Sequence, residues 1–357
     1  MNDSRRDELY ILGNAKKRRY KAAGRQRPIA RFFKIFFTAV VLVLLPEVVL
    51  GLSMGLPVDC SGVQTCVVQN YFDHDPSSRY ADYLCGSLSY DGHTGTDIRV
   101  SYTDMARGVP VLAAADGTVQ GVRDGEPEGE ISRRDLGSIK GREAGNGVLL
   151  VHAEGFETQY SHLRRGSVAV LPGQRVRAGQ LLGMVGLSGA TEFPHLEISV
   201  RRLGQAVDPF TGRGQSGCGG VALPLWSDQA LRSPALKYRA SGLLEAGFFD
   251  IPPQDSIALL RRHGWVEGQA SDPGVLVFGV QVFGPRDGDQ WTLRLTNPNG
   301  EVLAESRTAQ VGSKAQAMRY VGKKRGAAWI PGRYRGEFRL TRSGKDVISV
   351  VREIDIP

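Results

Sequence analysis

From Val109 to Val207 short apolar runs recur between glycine turns: VPVLAAADGTV, NGVLLVHAEG, FETQYSHL, GQRVRAGQLLGMVG and HLEISV. Runs this short, bounded by Asp116-Gly117, Glu154-Gly155 and Pro172-Gly173, predict antiparallel strands joined by tight turns. A charged, glycine-bearing stretch from Arg123 to Gly145 breaks the rhythm once, and predicts a long surface loop of the kind that rims a groove. The glycine-rich connector Thr211 to Gly220 then closes the unit. Residues 221–270 have mixed helical and turn character and read as a bridge. Alternation returns in VLVFGVQVFG, QWTLRLTNPNGEVLAES, GRYRGEFRLTR and DVISVVREIDI, with a turn at Asn299-Gly300. That spacing predicts a small immunoglobulin-like β-sandwich over 271–357. The chain is therefore expected to be mostly β, with an antiparallel domain over 57–220 followed by the sandwich.

Residues 1–56 follow a different pattern. A basic head containing AKKRR, Ala15 to Arg19, runs into the apolar stretch Ile35 to Leu45, which ends at Pro46 and Glu47. Positive charge before an apolar run is an export signal. About eleven apolar residues are short for a spanning helix, which needs about 20, so the segment reads as a cleaved signal. If Val48 to Leu56 also enters the bilayer, it becomes an inner-membrane anchor interrupted by Glu47. This head also accounts for the formal charge of +8, because residues 1–34 hold eleven Lys and Arg against three Asp and Glu, leaving thirty-four of each sign elsewhere. A neutral globular part has no electrostatic footprint for nucleic acid, which is excluded as a partner. All four cysteines, Cys60, Cys66, Cys85 and Cys218, lie beyond the export segment, as expected for disulfides in an oxidising compartment. Three pairings are possible, and loop proximity favours Cys60 with Cys66 and Cys85 with Cys218. No C-x-x-C spacing supports a thiolate zinc cluster.

The candidate chemistry lies in YDGHTGTDIRV, Tyr90 to Val100, and FPHLEISV, Phe193 to Val200. His93 and Asp97 are four apart; His195 and Glu197 are two apart on a predicted strand, so each pair can aim both side chains at one point. Taken singly these residues have ordinary roles: an Asx-type turn for Asp97, a core position for His195, solvent or a partner in Arg201 or Arg202 for Glu197. The string GLSG, Gly186 to Gly189, lacks the spacing and the elbow of a serine hydrolase.

GHTGTDI, PVLAAADGTV, GNGVLLVH, YSHL, GQRVRAGQLLGMVGLSG and FPHLEISVRRLGQAVDP occur in an order that resembles the lysostaphin/LytM-type zinc metallopeptidases, which cleave peptides of bacterial peptidoglycan. The resemblance covers roughly Tyr90 to Phe210, and several linked motifs are more specific than one H-x-x-x-D. It implies Zn2+ held by His93 and Asp97, with His162 and His195 as the catalytic histidines. The family's third ligand is a histidine at the position of Glu197. A carboxylate there is chemically tolerable, but it makes the first shell formally neutral and less able to acidify bound water. The resemblance thus implies either a zinc metalloendopeptidase acting on peptidoglycan peptides or a degenerate module that binds cell wall or regulates another murein hydrolase. Both place the chain in the bacterial envelope, periplasmic, secreted or anchored, with the C-terminal domain free to meet an envelope protein partner. Gly95 is expected to permit a tight turn between His93 and Asp97, and Gly189 to turn the chain into the His195 strand. His152 is expected to be an edge histidine packed behind the site, and His74 and His263 to be surface residues.

Overall fold

A computed structural model describes residues 51–129, 136–220, 222–250, 270, 272–326 and 328–357. The basic leader, its apolar run and His263 lie outside the described residues. Among the described residues no helix is long and apolar enough to cross a membrane. The last five residues of the segment expected to lead instead join the domain. Met54 is fully buried, its N–H donates to the Leu225 carbonyl (2.7 Å), and Leu52 and Leu56 pack on the same core.

The first domain contains β1 (Cys66–Asn70), β2 (Gly95–Val100), β3 (Pro110–Leu112), β4 (Gly117–Arg123), β5 (Asn146–Val151), β6 (Phe156–Leu163), β7 (Arg175–Val176), β8 (Leu181–Met184), β9 (His195–Arg202) and β10 (Gln205–Val207). Eight of these strands form one sheet in the order β1-β2-β9-β6-β5-β4-β7, with β10 paired to β9; β3 pairs with β8. Every named pairing is antiparallel, as the turn-punctuated pattern predicts. Alternation assigns the faces. Leu196, Ile198 and Val200 of β9 and Ile98 and Val100 of β2 are fully buried in the apolar core. The intervening residues, His195, Glu197 and Ser199 with Gly95, Asp97 and Arg99, share the opposite face.

The second domain contains β11 (Gly242–Phe249), β12 (Val275–Phe283), β13 (Gln290–Thr296), β14 (Val302–Ala309), β15 (Gln316–Lys324), β16 (Gly332–Arg342) and β17 (Lys345–Ile356). A three-stranded sheet, β11-β12-β15, packs on a four-stranded one, β14-β13-β16-β17. Phe248, Phe278 and Val280 from the first sheet meet Trp291, Phe338 and Ile354 from the second in one core. β11 lies in the segment expected to bridge the domains and pairs with β12 along its length. All nine residues of β12 are buried. One face fills the sandwich, while Phe283 on the other face, with Leu244 of β11, enters the core of the first domain. An uninterrupted apolar strand such as VLVFGVQVF suits burial on both sides.

The disulfides are Cys60–Cys66 and Cys85–Cys218. Their sequence separations of 6 and 133 residues predict unequal contributions. By loop-closure entropy the long link should stabilise by roughly 5 kcal/mol and the short one by roughly 2 kcal/mol. Chemical denaturation of Cys85→Ser/Cys218→Ser and Cys60→Ser/Cys66→Ser should place the first pair's loss well above the second's; equal losses would show that loop length does not govern either.

Candidate functional site

The pairing of β2 with β9 sets Asp97 directly opposite Glu197 and Arg99 opposite His195. His93 sits just before β2 in a turn held by its own N–H, which donates to the Tyr90 carbonyl, and by its carbonyl, which accepts from the Asp73 N–H. His93 Nε2 lies 3.3 Å from Asp97 Oδ1, and His195 Nε2 lies 3.6 Å from the same oxygen. One potential ligand atom from each of His93, Asp97 and Glu197 falls within a mutual distance of 4.8 Å. Sequence reasoning selected these residues, and the fold brings all of them to one point.

Gly95 has a different reason from the turn expected of it. It lies in the strand with no positive φ, and a Cβ there would come within 2.7 Å of Glu197 Oε1 and 2.8 Å of its Cγ. The missing side chain makes room for the Glu197 carboxylate. Gly189 does occupy a left-handed turn, at φ +79°.

His162 reaches the site by breaking the strand pattern. Tyr160 faces the core and Ser161 stands opposite Glu197, so strict alternation would send His162 to the core face. Its φ of +64° reverses that direction. A non-glycine residue in this region carries strain and persists only when its surroundings determine it. Here the His162 N–H donates to the Ala144 carbonyl (2.9 Å), its carbonyl accepts from the Gly186 N–H (3.1 Å), and Nδ1 donates to the Ser188 carbonyl (2.7 Å). Part of the loop expected between Arg123 and Gly145 supports this turn. Glu128 bridges to Ser188, and the Asn146 N–H donates to Ser188 Oγ (2.9 Å).

The hydrogen bonds assign protons. His195 Nδ1 donates to the Phe193 carbonyl (2.9 Å), leaving Nε2 as the lone-pair atom when the ring is neutral. Burial pushes His195 down to about 4, against a smaller opposing pull from Asp97, so it is neutral at physiological pH. His162 is the opposite case: burial alone would lower it, but the Glu197 carboxylate, with Oε2 3.0 Å from Nε2, holds it above the usual histidine value. Burial and the neighbouring Asp97 compete in the same way at His93, and the net shift is upward. Burial would raise both carboxyls, yet His93 and His195 keep Asp97 well below the ordinary range, and the bond from His162 lowers Glu197.

Asn70, Ser199 and Thr191 were not selected from sequence. Asn70 Nδ2 donates to Asp97 Oδ2 (2.8 Å), Ser199 Oγ donates to Glu197 Oε1 (3.2 Å), and Thr191 Oγ1 lies 3.1 Å from His195 Nδ1. Only Ser199 carried a signal, its i+2 relation to Glu197. Arg201 and Arg202 pair with Glu157 and Glu154, so neither is Glu197's partner. His74 is not a surface residue. It is fully buried, with Nε2 2.8 Å from Asp208 Oδ2, a partner 134 positions away. His152 bridges the Asp116 carbonyl and Thr158 Oγ1.

Residues 91–209 match Peptidase family M23. The chain is 35% identical over 121 residues to the DD-carboxypeptidase/endopeptidase Mpg of Neisseria meningitidis serogroup B, covering 33% of this chain and 22% of that protein. It is 31% identical over 116 residues to the peptidoglycan DD-endopeptidase ShyA of Vibrio cholerae, covering 32% and 22%. The chain thus spans about a fifth of the length of these curated relatives. A zinc-containing peptidase from Vibrio cholerae aligns at a TM-score of 0.26 and 26% identity, over 40% of this chain and 39% of that one.

The protonation pattern predicts a pH signature in metal-free protein. Between the unfolded histidine value of about 6.5 and the folded His195 value of about 4, the unfolded chain binds a proton that the native site refuses. Stability should therefore fall as pH is lowered through that window. His93 and His162, both raised, are protonated in both states there, and their contribution is lost only as pH rises through their folded values. Partial burial lowers His152, so it acts in the same direction as His195. Urea titrations across the window should show the decline, and His195→Gln should flatten most of it; an unaltered slope would show that His195 is not held neutral.

Proposed function

Because residues 91–209 form a Peptidase family M23 domain, we propose that the chain is a zinc-dependent endopeptidase that hydrolyses peptide bonds of bacterial peptidoglycan. The observation that carries this reading is a pair of orphaned buried atoms. Among the described residues, His93 Nε2 and Asp97 Oδ1 have no hydrogen-bond partner apart from each other at 3.3 Å, and almost no solvent, and they lie beside Glu197. Buried polar groups are rarely left without partners, and a cation satisfies a nitrogen and an oxygen lone pair together. Imidazole and carboxylate oxygen are both ordinary zinc donors, and two histidine-or-carboxylate types in one shell suit a catalytic site.

In this reading His93, Asp97 and Glu197 hold the ion, Asn70 and Ser199 orient the two carboxylates, and Gly95 keeps their space open. Bound zinc would polarise a scissile carbonyl and lower the pKa of an attacking water. His195 is neutral, with its free Nε2 lone pair directed into the site, so it accepts the water's proton and returns it to the leaving amine. His162 stands beside it, with ring centroids 4.7 Å apart and a pKa that the Glu197 carboxylate raises, and in its protonated form would stabilise negative charge developing on the carbonyl oxygen. The names of the relatives, which specify DD-peptidase activities and peptidoglycan, support the substrate class. The basic leader supports an envelope location, periplasmic, secreted or anchored.

The His162–Glu197 ion pair favours a second reading. If that pair commits Glu197 to His162, the domain is a non-hydrolytic module that binds wall peptides or regulates another hydrolase. Zinc content and peptide release from purified peptidoglycan separate the two. The enzyme reading expects about one zinc per chain, a several-fold loss in Glu197→Ala, and retained zinc with an optimum at lower pH in Glu197→His, since a neutral ligand restores positive charge to the shell. Removing the proton acceptor in His195→Gln should slow release by about 10² to 10⁴-fold while zinc stays bound. A disulfide-intact protein that takes up no zinc would overturn the enzyme reading, and zinc binding without cleavage would favour the module.

A further inference from the structure

Arg99 is one of the largest fully buried side chains among the described residues. It lies on the site face of β2, directly opposite His195 on β9. Its guanidinium carbon stands 4.5 Å over the Phe193 ring, and Phe193 in turn packs on the His195 imidazole with centroids 4.7 Å apart. The Phe193 carbonyl is also the acceptor for His195 Nδ1. Phe193 therefore supplies both a ring contact and the backbone acceptor for His195 Nδ1, alongside the Thr191 hydroxyl and the His162 ring, and Arg99 rests on Phe193.

The C-terminal domain supplies most of what holds Arg99. Its Nη1 donates to Gln316 Oε1 (2.6 Å) of β15 and to Gln69 Oε1 (2.8 Å) of β1, and Nη2 donates to Gln281 Oε1 (3.1 Å) of β12. Glu245 of β11, the cross-strand partner of Gln281, supplies opposing charge. Each strand of the three-stranded sheet thus contributes one polar side chain to a single arginine of the other domain. Gln281 Nε2 also donates to Gln316 Oε1 (3.2 Å), tying the two amides together. Burial pushes the guanidinium down to about 10, a cost that an apolar residue of similar size would not incur. Planar geometry lets one guanidinium stack on a ring and donate to several oxygens, which a lysine does not match.

We propose that Arg99 is a positioning residue that couples the C-terminal sandwich to the catalytic histidine, so that His195 is held in its working tautomer only while the sandwich is docked. The effect on rate rests on the proposed peptidase reading; the coupling itself does not. Full-length protein labelled with ¹⁵N-histidine reports the tautomer directly at one pH, with the His195 signal assigned by its loss in His195→Gln. The wild type should show His195 as a single Nδ1–H tautomer. Arg99→Met, and Gln281→Leu/Gln316→Leu on the far side of the interface, should each shift or split that signal, with Arg99→Lys only partly restoring it. Val350→Ala, which weakens the sandwich core without touching Arg99, should leave it in place. Where peptide release is measurable, the first two variants should lower kcat by roughly ten- to a hundredfold with KM little changed. An unaltered His195 signal in both Arg99→Met and the double glutamine variant would overturn the coupling. Loss of the signal's single form in Val350→Ala would overturn it as well, since general destabilisation would then explain the effect. A wild type that shows the expected signals yet cleaves nothing refutes the peptidase reading alone.

Discussion

The antiparallel pairing of β2 with β9, in the register that sets Asp97 against Glu197, is the constraint on which the rest of the site depends. Side chains alternate faces with a period of two, so a slip of β9 by one residue would carry Glu197 into the apolar core and expose Leu196 and Ile198. The hydrophobic effect therefore fixes the polar site from behind. Ile98, Leu196 and Ile198 are fully buried on one face, and their burial obliges His195, Glu197 and Asp97 to share the other. Gly95 relieves the crowding that this register creates.

A second constraint is electrostatic. Two carboxylates and three imidazoles occupy a space with little access to water, and each ionisation state is set by its neighbours. The outcome is asymmetric: Glu197 raises the pKa of His162, while burial lowers that of His195, a few ångströms away. Divergence between two similar groups in one site is the arrangement that separates an electrostatic role from a proton-transfer role. The left-handed backbone at His162 belongs to the same design, because a regular strand would have pointed that imidazole into the core.

Much of this was legible in the residues. The strand pattern, both disulfides and the residues His93, Asp97, His162, His195 and Glu197 follow from local periodicity, cysteine placement and ordered motifs. The failures have a common cause. His74 looked like a surface residue because its partner, Asp208, is distant in sequence, and Asn70 gave no signal because its role depends on pairing between β1 and β2. The expectation that Gly95 serves a turn was a local explanation for a glycine whose reason lies on another strand. β11 was read as part of a bridge because its pairing with β12 is invisible from either segment alone.

By itself the sequence determined the class of structure and the chemical types available: mostly antiparallel β, two units, and a histidine and carboxylate set with metal-ligand spacing. Those properties depend on period, turn residues and side-chain chemistry, all of which are local. Only the tertiary structure decided which of those side chains face one another, which histidines gain basicity and which loses it, and that the second domain holds a buried arginine behind the site. Those outcomes depend on burial and on partners far away in sequence. Coulombic and hydrogen-bond energies vary steeply with distance, and distance is set only when the strands pair and the domains dock.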